Sequence, residues 1–180
     1  MTDTREELEA LLQEHGYTDY KWIEPGDIVV AQWVRMKCMY GCGSYGRNAS
    51  CPPNVPSVAE CRAFLDDYDR GVIIHFQKVV ERPEERHAWS KGVNKKLLEL
   101  ECAVFLAGHQ KAFLLFMDSC HLCDRCPGER TGCNHPRSAR PTPEGLGIDV
   151  FSTVRQAGYP IQVLTDYDQV MNRYAFLLIE

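Results

Sequence analysis

Residues 83–117 read PEERHAWSKGVNKKLLELECAVFLAGHQKAFLLFM, and they show how the chain is organised. Apolar residues recur at helical spacing from Pro83 to Leu106, which predicts one long helix with a buried stripe. Gly108 ends this helix, and the apolar run Ala112 to Met117, flanked by polar residues, is typical of a central strand. The predicted stripe consists of Trp89, Val93, Leu97, Leu100 and Val104, widened by Leu98, Cys102 and Phe105.

The segments around this stretch mix helices and strands without a regular strand-helix-strand alternation. A capping box, Ser57 with Glu60, begins one helix, and residues 37–53 are predicted to form a loop without helix. The other predicted elements are helices over 4–15 and 146–157 and strands over 27–34, 72–76, 160–164 and 173–179. This order favours the α+β (or α/β) class: a two-layer domain with a mixed central sheet, flanking helices and cysteine-rich metal-binding loops.

The composition limits the size, partners and compartment of the protein. A chain of 180 residues, 44% of them hydrophobic, suits a single domain over residues 1–180. The net charge of -5 argues against nucleic-acid binding, which needs a clustered basic surface, and favours a protein partner or a small molecule. The amino terminus lacks the long apolar stretch of a signal peptide or membrane span, so we expect a cytoplasmic protein with no membrane contact.

The nine cysteines fall into two groups and one single residue. In a reducing compartment such a number indicates metal ligation or redox chemistry rather than disulfides. Cys102 stands alone within the long helix, where it is predicted to fill the core. The segment 38–61 carries Cys38, Cys42, Cys51 and Cys61, and the segment 120–133 carries Cys120, Cys123, Cys126 and Cys133.

The second group has the spacing Cys120-x2-Cys123-x2-Cys126-x6-Cys133 and is the stronger signal of metal binding. Three cysteines at intervals of three are typical of the loop that binds a [4Fe-4S] cluster, and Cys133 can supply the fourth ligand. In two-cluster ferredoxins a cysteine followed directly by Pro serves the other cluster, whereas Cys133 is followed by Asn-His-Pro. Zinc is the alternative, although four-cysteine zinc sites usually take two CxxC pairs farther apart.

The first group, Cys38-x3-Cys42-x8-Cys51-Pro52-Pro53, is spread over a glycine-rich loop. Its spacing is not the C-x3-C-x2-C of a radical enzyme. Cys61 falls in the first turns of a helix, where it is either a fourth ligand or a buried apolar residue. A second cluster on Cys38, Cys42, Cys51 and Cys61 is therefore one hypothesis, and zinc or a site of only three cysteines are its competitors.

Residues 140–151, RPTPEGLGIDVF, precede or begin the helix predicted over 146–157. The simpler interpretation is a turn in which Thr142 caps the helix and Pro143 takes its first position. The alternative is that this helix end faces a cluster or an anion.

Several motifs together resemble a prokaryotic family of predicted metal-binding, cysteine-rich proteins. The resemblance spans nearly the whole chain, and the order of its motifs is specific. It implies metal binding through these cysteines and carries no settled reaction. The motifs are Cys38-Met-Tyr-Gly-Cys42, Cys51-Pro-Pro, Ala107-Gly-His-Gln-Lys-Ala112-Phe, Cys120-His-Leu-Cys123-Asp-Arg-Cys126, Cys133-Asn-His-Pro and the RPTPEGLGIDVF segment.

Three functions compete for this set of residues. The first is an electron carrier, or an electron-delivering subunit of an oxidoreductase, that docks a redox partner protein. The second is a structural or regulatory zinc protein without redox activity. In the third, Cys38, Cys42 and Cys51 hold a cluster with one open iron that acts on a small molecule, and Cys61 is uninvolved.

Overall fold

Five α-helices and four antiparallel strands form the part of the chain that the computed structural model describes, residues 4–166 and 168–180. The structure is of the α+β class, as predicted. Two short 3-10 turns, Pro25–Asp27 and Glu144–Leu146, separate some of these elements. In chain order the elements are α1 (Thr4–Glu14), β1 (Tyr20–Ile23), α2 (Gln32–Gly41), α3 (Val58–Asp66), β2 (Gly71–Lys78), α4 (Pro83–Leu106), β3 (Phe113–Leu115), α5 (Val150–Gln156) and β4 (Met171–Leu178).

The sheet has the strand order β1-β2-β4-β3, and every neighbouring pair is antiparallel. The prediction of a mixed sheet was therefore wrong. In the centre β2 and β4 pair along their full lengths, with Val72 opposite Leu177. The predicted central strand β3 lies at an edge instead. Its Leu114 and Leu115 are nonetheless fully buried, because apolar layers cover both faces of the sheet at this edge.

Helices cover both faces of the sheet, which gives one layer more than the two predicted. On one face Leu12 of α1 and Leu97 of α4 pack with Leu114 and Leu177. On the other face Leu65 of α3 and Val154 of α5 pack with Leu115 and Phe176. Because successive side chains of a strand point to opposite faces, continuous apolar strands such as 113–115 serve both layers.

Helix α4 has the predicted bounds, but its buried stripe is narrower than predicted. Leu97, Leu100 and Val104 are fully buried, whereas Cys102 is exposed and was wrongly predicted to fill the core. The buried position between them belongs to Glu101, whose carboxylate accepts a hydrogen bond from the Leu114 amide at 2.8 Å and pairs with Arg140 at 2.9 Å. A buried carboxylate is tolerated because these donors satisfy it.

Two predicted strands are absent from the described residues. Within 27–34 only Val30 forms an isolated bridge, with Ile148, and α2 begins at Gln32. Residues 160–164 form no strand. The prediction that 37–53 lacks helix was also wrong, because α2 continues to Gly41. The capping box of Ser57 and Glu60 is confirmed at the start of α3.

Candidate metal centre

The carboxyl end of α2 carries the first two cysteines of the candidate site. Cys38 lies in the last turn of this helix and Cys42 follows its final residue, Gly41. A separation of four residues brings both side chains to one side of the helix end. The Arg35 guanidinium fixes α2 by donating to the carbonyls of Pro56 and Gly145, each at 2.9 Å. The helix therefore presents two thiols at a fixed place.

A tight loop returns Cys51 to the other two cysteines. The Gly46 amide donates to the Pro52 carbonyl at 3.0 Å, and Gly46 has a φ of 70°, which favours glycine. The Asn48 side-chain oxygen accepts hydrogen bonds from the Ser50 amide and hydroxyl, both at 3.0 Å. As a result Cys38, Cys42 and Cys51 line the same cavity, of about 210 Å³. We refer to these three residues as the first cysteine group.

The second loop, residues 120–133, gathers the other four cysteines, all of them half-buried. Cys120 lies close enough to Cys123 and Cys133 to interact with them electrostatically, so the loop folds back on itself, as the cysteine spacing predicted. The Cys133 amide donates to the Arg130 carbonyl at 3.3 Å, and the Asn134 side chain lies 3.8 Å from the Cys123 Sγ. We refer to Cys120, Cys123, Cys126 and Cys133 as the second cysteine group.

The two loops are in direct contact. The Asn48 side-chain amide donates to the Cys120 carbonyl at 3.1 Å, and that of Asn54 donates to the Gly128 carbonyl at 2.7 Å. The backbone amide of Ala49 donates to the Cys126 Sγ at 3.3 Å. Asn48 and Asn54 were not among the residues predicted to form the site. They lie within and just after a glycine- and proline-rich turn, where asparagine side chains commonly bond to the backbone, and this position could have indicated their role.

Burial favours the neutral thiol form of three cysteines of the site, Cys38, Cys51 and Cys120. It raises the pKa of Cys51 to about 12, and the nearby Cys38, Cys42 and Cys120 contribute to this rise. Burial likewise raises the pKa of Cys38 and of Cys120. Clustered thiols of this kind need a cation to balance their charge as thiolates, and metal binding releases their protons.

Cys61 is not part of this cluster of thiols. Its side chain is 1% exposed, lies in the apolar layer with Leu65 and Ile148, and its Sγ is 3.6 Å from the Pro56 carbonyl. The prediction of Cys61 as a fourth ligand of the first group is thus corrected to a core position. The cause is helix α3, whose apolar face turns Cys61 toward the sheet. The exposed Cys102 lies on α4 and does not line the cavity.

The remaining wall of the cavity comes from α4, β4 and the segment before α5. Arg86 of α4 makes a bidentate pair with Asp118, both distances being 2.7 Å, and Arg173 of β4 lies nearby. The prediction that Thr142 caps α5 was wrong. Asp149 caps this helix, and its side chain accepts a hydrogen bond from the Ser152 amide. The Thr142 hydroxyl instead accepts a hydrogen bond from Gly145 at 3.0 Å, within a turn that lines the cavity.

The arrangement of donors bears on the kind of metal that fits. Among residues 4–166 and 168–180, no three or more His, Cys, Asp or Glu side chains are grouped closely enough to hold a metal ion. A mononuclear zinc site draws four ligands to one ion, whereas a cubane takes each thiolate on a different iron and so accepts a wider spacing. Four cysteines on one loop match a [4Fe-4S] cluster, and equally a four-cysteine zinc site, in the number and type of their ligands.

Two histidines lie within or just after the second loop. His121 packs against His87, with 3.1 Å between their ring nitrogens, and burial lowers the His121 pKa. His135 is exposed.

Comparison with known proteins gives one match. The model of the family described as "Predicted metal-binding protein (DUF2284)" matches residues 21–179. No curated protein and no solved structure matches the chain. The matched region contains both cysteine groups and every residue that lines the cavity beside the first group. Within the described residues, no helix is long and apolar enough to cross a membrane.

Proposed function

We propose that this chain, which belongs to the DUF2284 family of predicted metal-binding proteins, binds iron-sulfur clusters and transfers electrons. The second cysteine group is the site of one [4Fe-4S] cluster, with Cys120, Cys123, Cys126 and Cys133 as its four thiolate ligands. The number of cysteines and their spacing support this choice. The backbone amide at the Cys126 Sγ and the side-chain amide near the Cys123 Sγ support it too, because such donors stabilise thiolate ligands.

The first cysteine group is the site of a second cluster with only three protein ligands. Cys38, Cys42 and Cys51 line one cavity, and the fourth candidate, Cys61, lies in the apolar core. A cubane held by three thiolates leaves one iron without a protein ligand. Because the three cysteines line the cavity wall, that iron would face the cavity and be open to a small molecule.

The contact between the two loops is the main observation that supports electron transfer. Cys120 of the second group is an electrostatic neighbour of Cys51 of the first, and the Ala49 amide reaches Cys126 at 3.3 Å. Clusters held by these residues would lie side by side, which suits the relay of single electrons. A redox partner protein in the cytoplasm would deliver electrons to the second group, and the first group would pass them to a ligand in the cavity.

Metal analysis and optical spectroscopy test the proposal directly. The full chain is purified without oxygen, its iron, sulfide and zinc are measured, and spectra are recorded before and after dithionite. We expect about eight irons per chain and a visible absorption that bleaches reversibly. About four irons would restrict the proposal to the second group. Stoichiometric zinc without iron would overturn it and favour a structural or regulatory zinc protein.

A further inference from the structure

Arg173 brings an unpaired positive charge to the cavity beside the first cysteine group. It projects from β4 and lines the cavity, and it forms no salt bridge with any residue that the structure describes. Its Nε is buried and has no hydrogen-bond partner among those residues, and its Nη2 has only the Met171 sulfur at 4.0 Å. A buried guanidinium N–H without a partner is costly, so the unsatisfied Nε of Arg173 points to a missing anion.

Asp118, a carboxylate that lines the same cavity, is already occupied by other groups. Asp118 accepts both guanidinium hydrogen bonds of Arg86 at 2.7 Å, one from the Ser90 hydroxyl at 2.9 Å and one from the Ser119 amide at 2.9 Å. Burial and the positive charge of Arg86 lower the Arg173 pKa, and the negative charges of Asp118 and Glu144 oppose this shift.

We infer that the cavity binds a small anion, a carboxylate or comparable oxyanion, through the Arg173 guanidinium. Two oxygens of such a group match the fork of guanidinium donors. The hydroxyls of Ser44 and Tyr45 line the same cavity and make no hydrogen bond to another described residue, so they are available as further donors. Glu144 also lines the cavity.

The size and place of the cavity restrict the anion further. A volume of about 210 Å³ lies below the roughly 300–1,000 Å³ of cavities that take drug-sized ligands. The anion is therefore small, the more so because a cluster on Cys38, Cys42 and Cys51 would occupy part of the same cavity. Its position beside Cys38, Cys42 and Cys51 makes it a substrate or ligand of the first group, and this part of the inference rests on the proposed function.

Calorimetric titration of the anaerobically purified full chain tests this site, with acetate and inorganic phosphate as probes. Ionic strength is held constant with sodium chloride. We expect one anion per chain, bound more tightly than chloride. Arg173→Gln should weaken binding at least about tenfold, since a charge-assisted hydrogen bond is lost. Arg137→Gln removes an exposed arginine outside the cavity and should change the affinity less than about twofold.

Failure of both probes to bind wild-type protein more tightly than chloride would overturn the inference. Equal affinities of wild type and Arg173→Gln would do the same. If Arg173→Gln does not fold, as judged by circular dichroism, Arg173→Lys replaces it. This variant keeps the charge but loses the fork, so binding should weaken at least about threefold, and an unchanged affinity would overturn the inference.

Metal content, measured on the same samples, separates this inference from the proposed function. Anion binding by protein that contains no iron would support the Arg173 site while overturning the clusters. Iron-loaded protein that binds neither probe would support the clusters and overturn the anion site.

Discussion

The backbone amide of Ala49 donates a hydrogen bond to the Sγ of Cys126 across 3.3 Å, although the two residues are 77 positions apart in the chain. This contact joins the loop of the first cysteine group to that of the second. Amide donors at ligand sulfurs are one of the means by which a protein sets the potential of a cluster. The two loops are therefore in direct contact, and we expect a change in the first loop to affect the second.

Asn54→Ala should lower the iron content of the second group although Asn54 binds no metal. Its side chain donates to the carbonyls of Asn48, within the first loop, and of Gly128, in the second, so its loss weakens the first loop and its contact with the second. We expect the free energy of unfolding to fall by about 2 kcal/mol, at about 1 kcal/mol per hydrogen bond. Iron per chain and urea unfolding are the measurements.

Asn172→Ala is the matched control for this substitution. The Asn172 side chain accepts hydrogen bonds from His75 and Gln77 of the neighbouring strand β2, and it is not among the residues that line the cavity. This variant should lose a similar amount of stability and keep its iron. Equal iron loss in both variants would show that general destabilisation, not separation of the loops, releases the metal.

The effect of each cysteine variant on iron content and stability should depend on the position of the side chain. Cys51→Ala removes a ligand of the first group, so iron should fall by up to about four per chain. Cys61→Ala should keep all iron and lose about 1 kcal/mol of unfolding free energy, because it leaves a small cavity in the core. The exposed Cys102, changed to Ala, should alter neither quantity. Loss of iron in Cys61→Ala would restore Cys61 as a ligand.

Arg86→Ala should destabilise the protein far more than Arg82→Ala, four residues earlier. Arg86 pairs with Asp118, whose side chain is 7% exposed, so its removal leaves a buried carboxylate without its main partner. We expect a loss of about 3 kcal/mol in unfolding free energy. Arg82 pairs with Glu85 on the exposed surface, and its loss should amount to less than about 0.5 kcal/mol. Urea unfolding that gave similar values for the two variants would contradict this account.

Tyr17→Phe should stabilise the protein by about 1 kcal/mol. The Tyr17 hydroxyl is buried without a hydrogen-bond partner in the described residues, and burial raises its pKa to about 12. Tyrosine in the unfolded chain ionises near about pH 10, whereas the folded protein keeps the Tyr17 phenol neutral to a higher pH. The free energy of unfolding contributed by this difference is intact below about pH 10 and is lost as the pH rises toward the folded pKa. Tyr17→Phe should therefore lose stability less steeply above about pH 10.

Tyr159→Phe provides the opposite case at neutral pH. The Tyr159 hydroxyl donates to the Asp19 carboxylate at 3.0 Å, so its removal should destabilise the protein by about 1 kcal/mol. Both tyrosine variants are compared with wild type by urea unfolding at neutral pH, and Tyr17→Phe is measured again across the alkaline range. Destabilisation of Tyr17→Phe would show that its hydroxyl has a partner in solution.

Local features of the chain were predictable because neighbours in sequence decide them. The bounds of α4 follow from Pro83 and the periodic apolar residues, and the start of α3 follows from Ser57 and Glu60. Close spacing likewise brought Cys120, Cys123 and Cys133 together. Each of these features depends on contacts within one helix, turn or loop.

Features that depend on distant partners were predicted poorly. Residues 27–34 have the alternation of a strand but find only one bridging partner, Ile148, so the chain turns into α2 instead. The apolar run of β3 indicates burial on both faces, which an edge strand also has when helices cover both sides of the sheet. Neither the bridge to Ile148 nor the helices that cover β3 can be recognised from the local sequence pattern.

By itself, the sequence determined the residue types of the metal site, the α+β class and the grouping of cysteines into two segments. Only the tertiary structure decided which cysteines share a cavity, because the packing of α3 turns Cys61 into the core while the end of α2 and its loop bring Cys38, Cys42 and Cys51 together. It also placed Arg173 of β4 beside them. Ligand chemistry belongs to individual side chains, whereas their meeting depends on how a sheet and its helices pack across long separations in the chain.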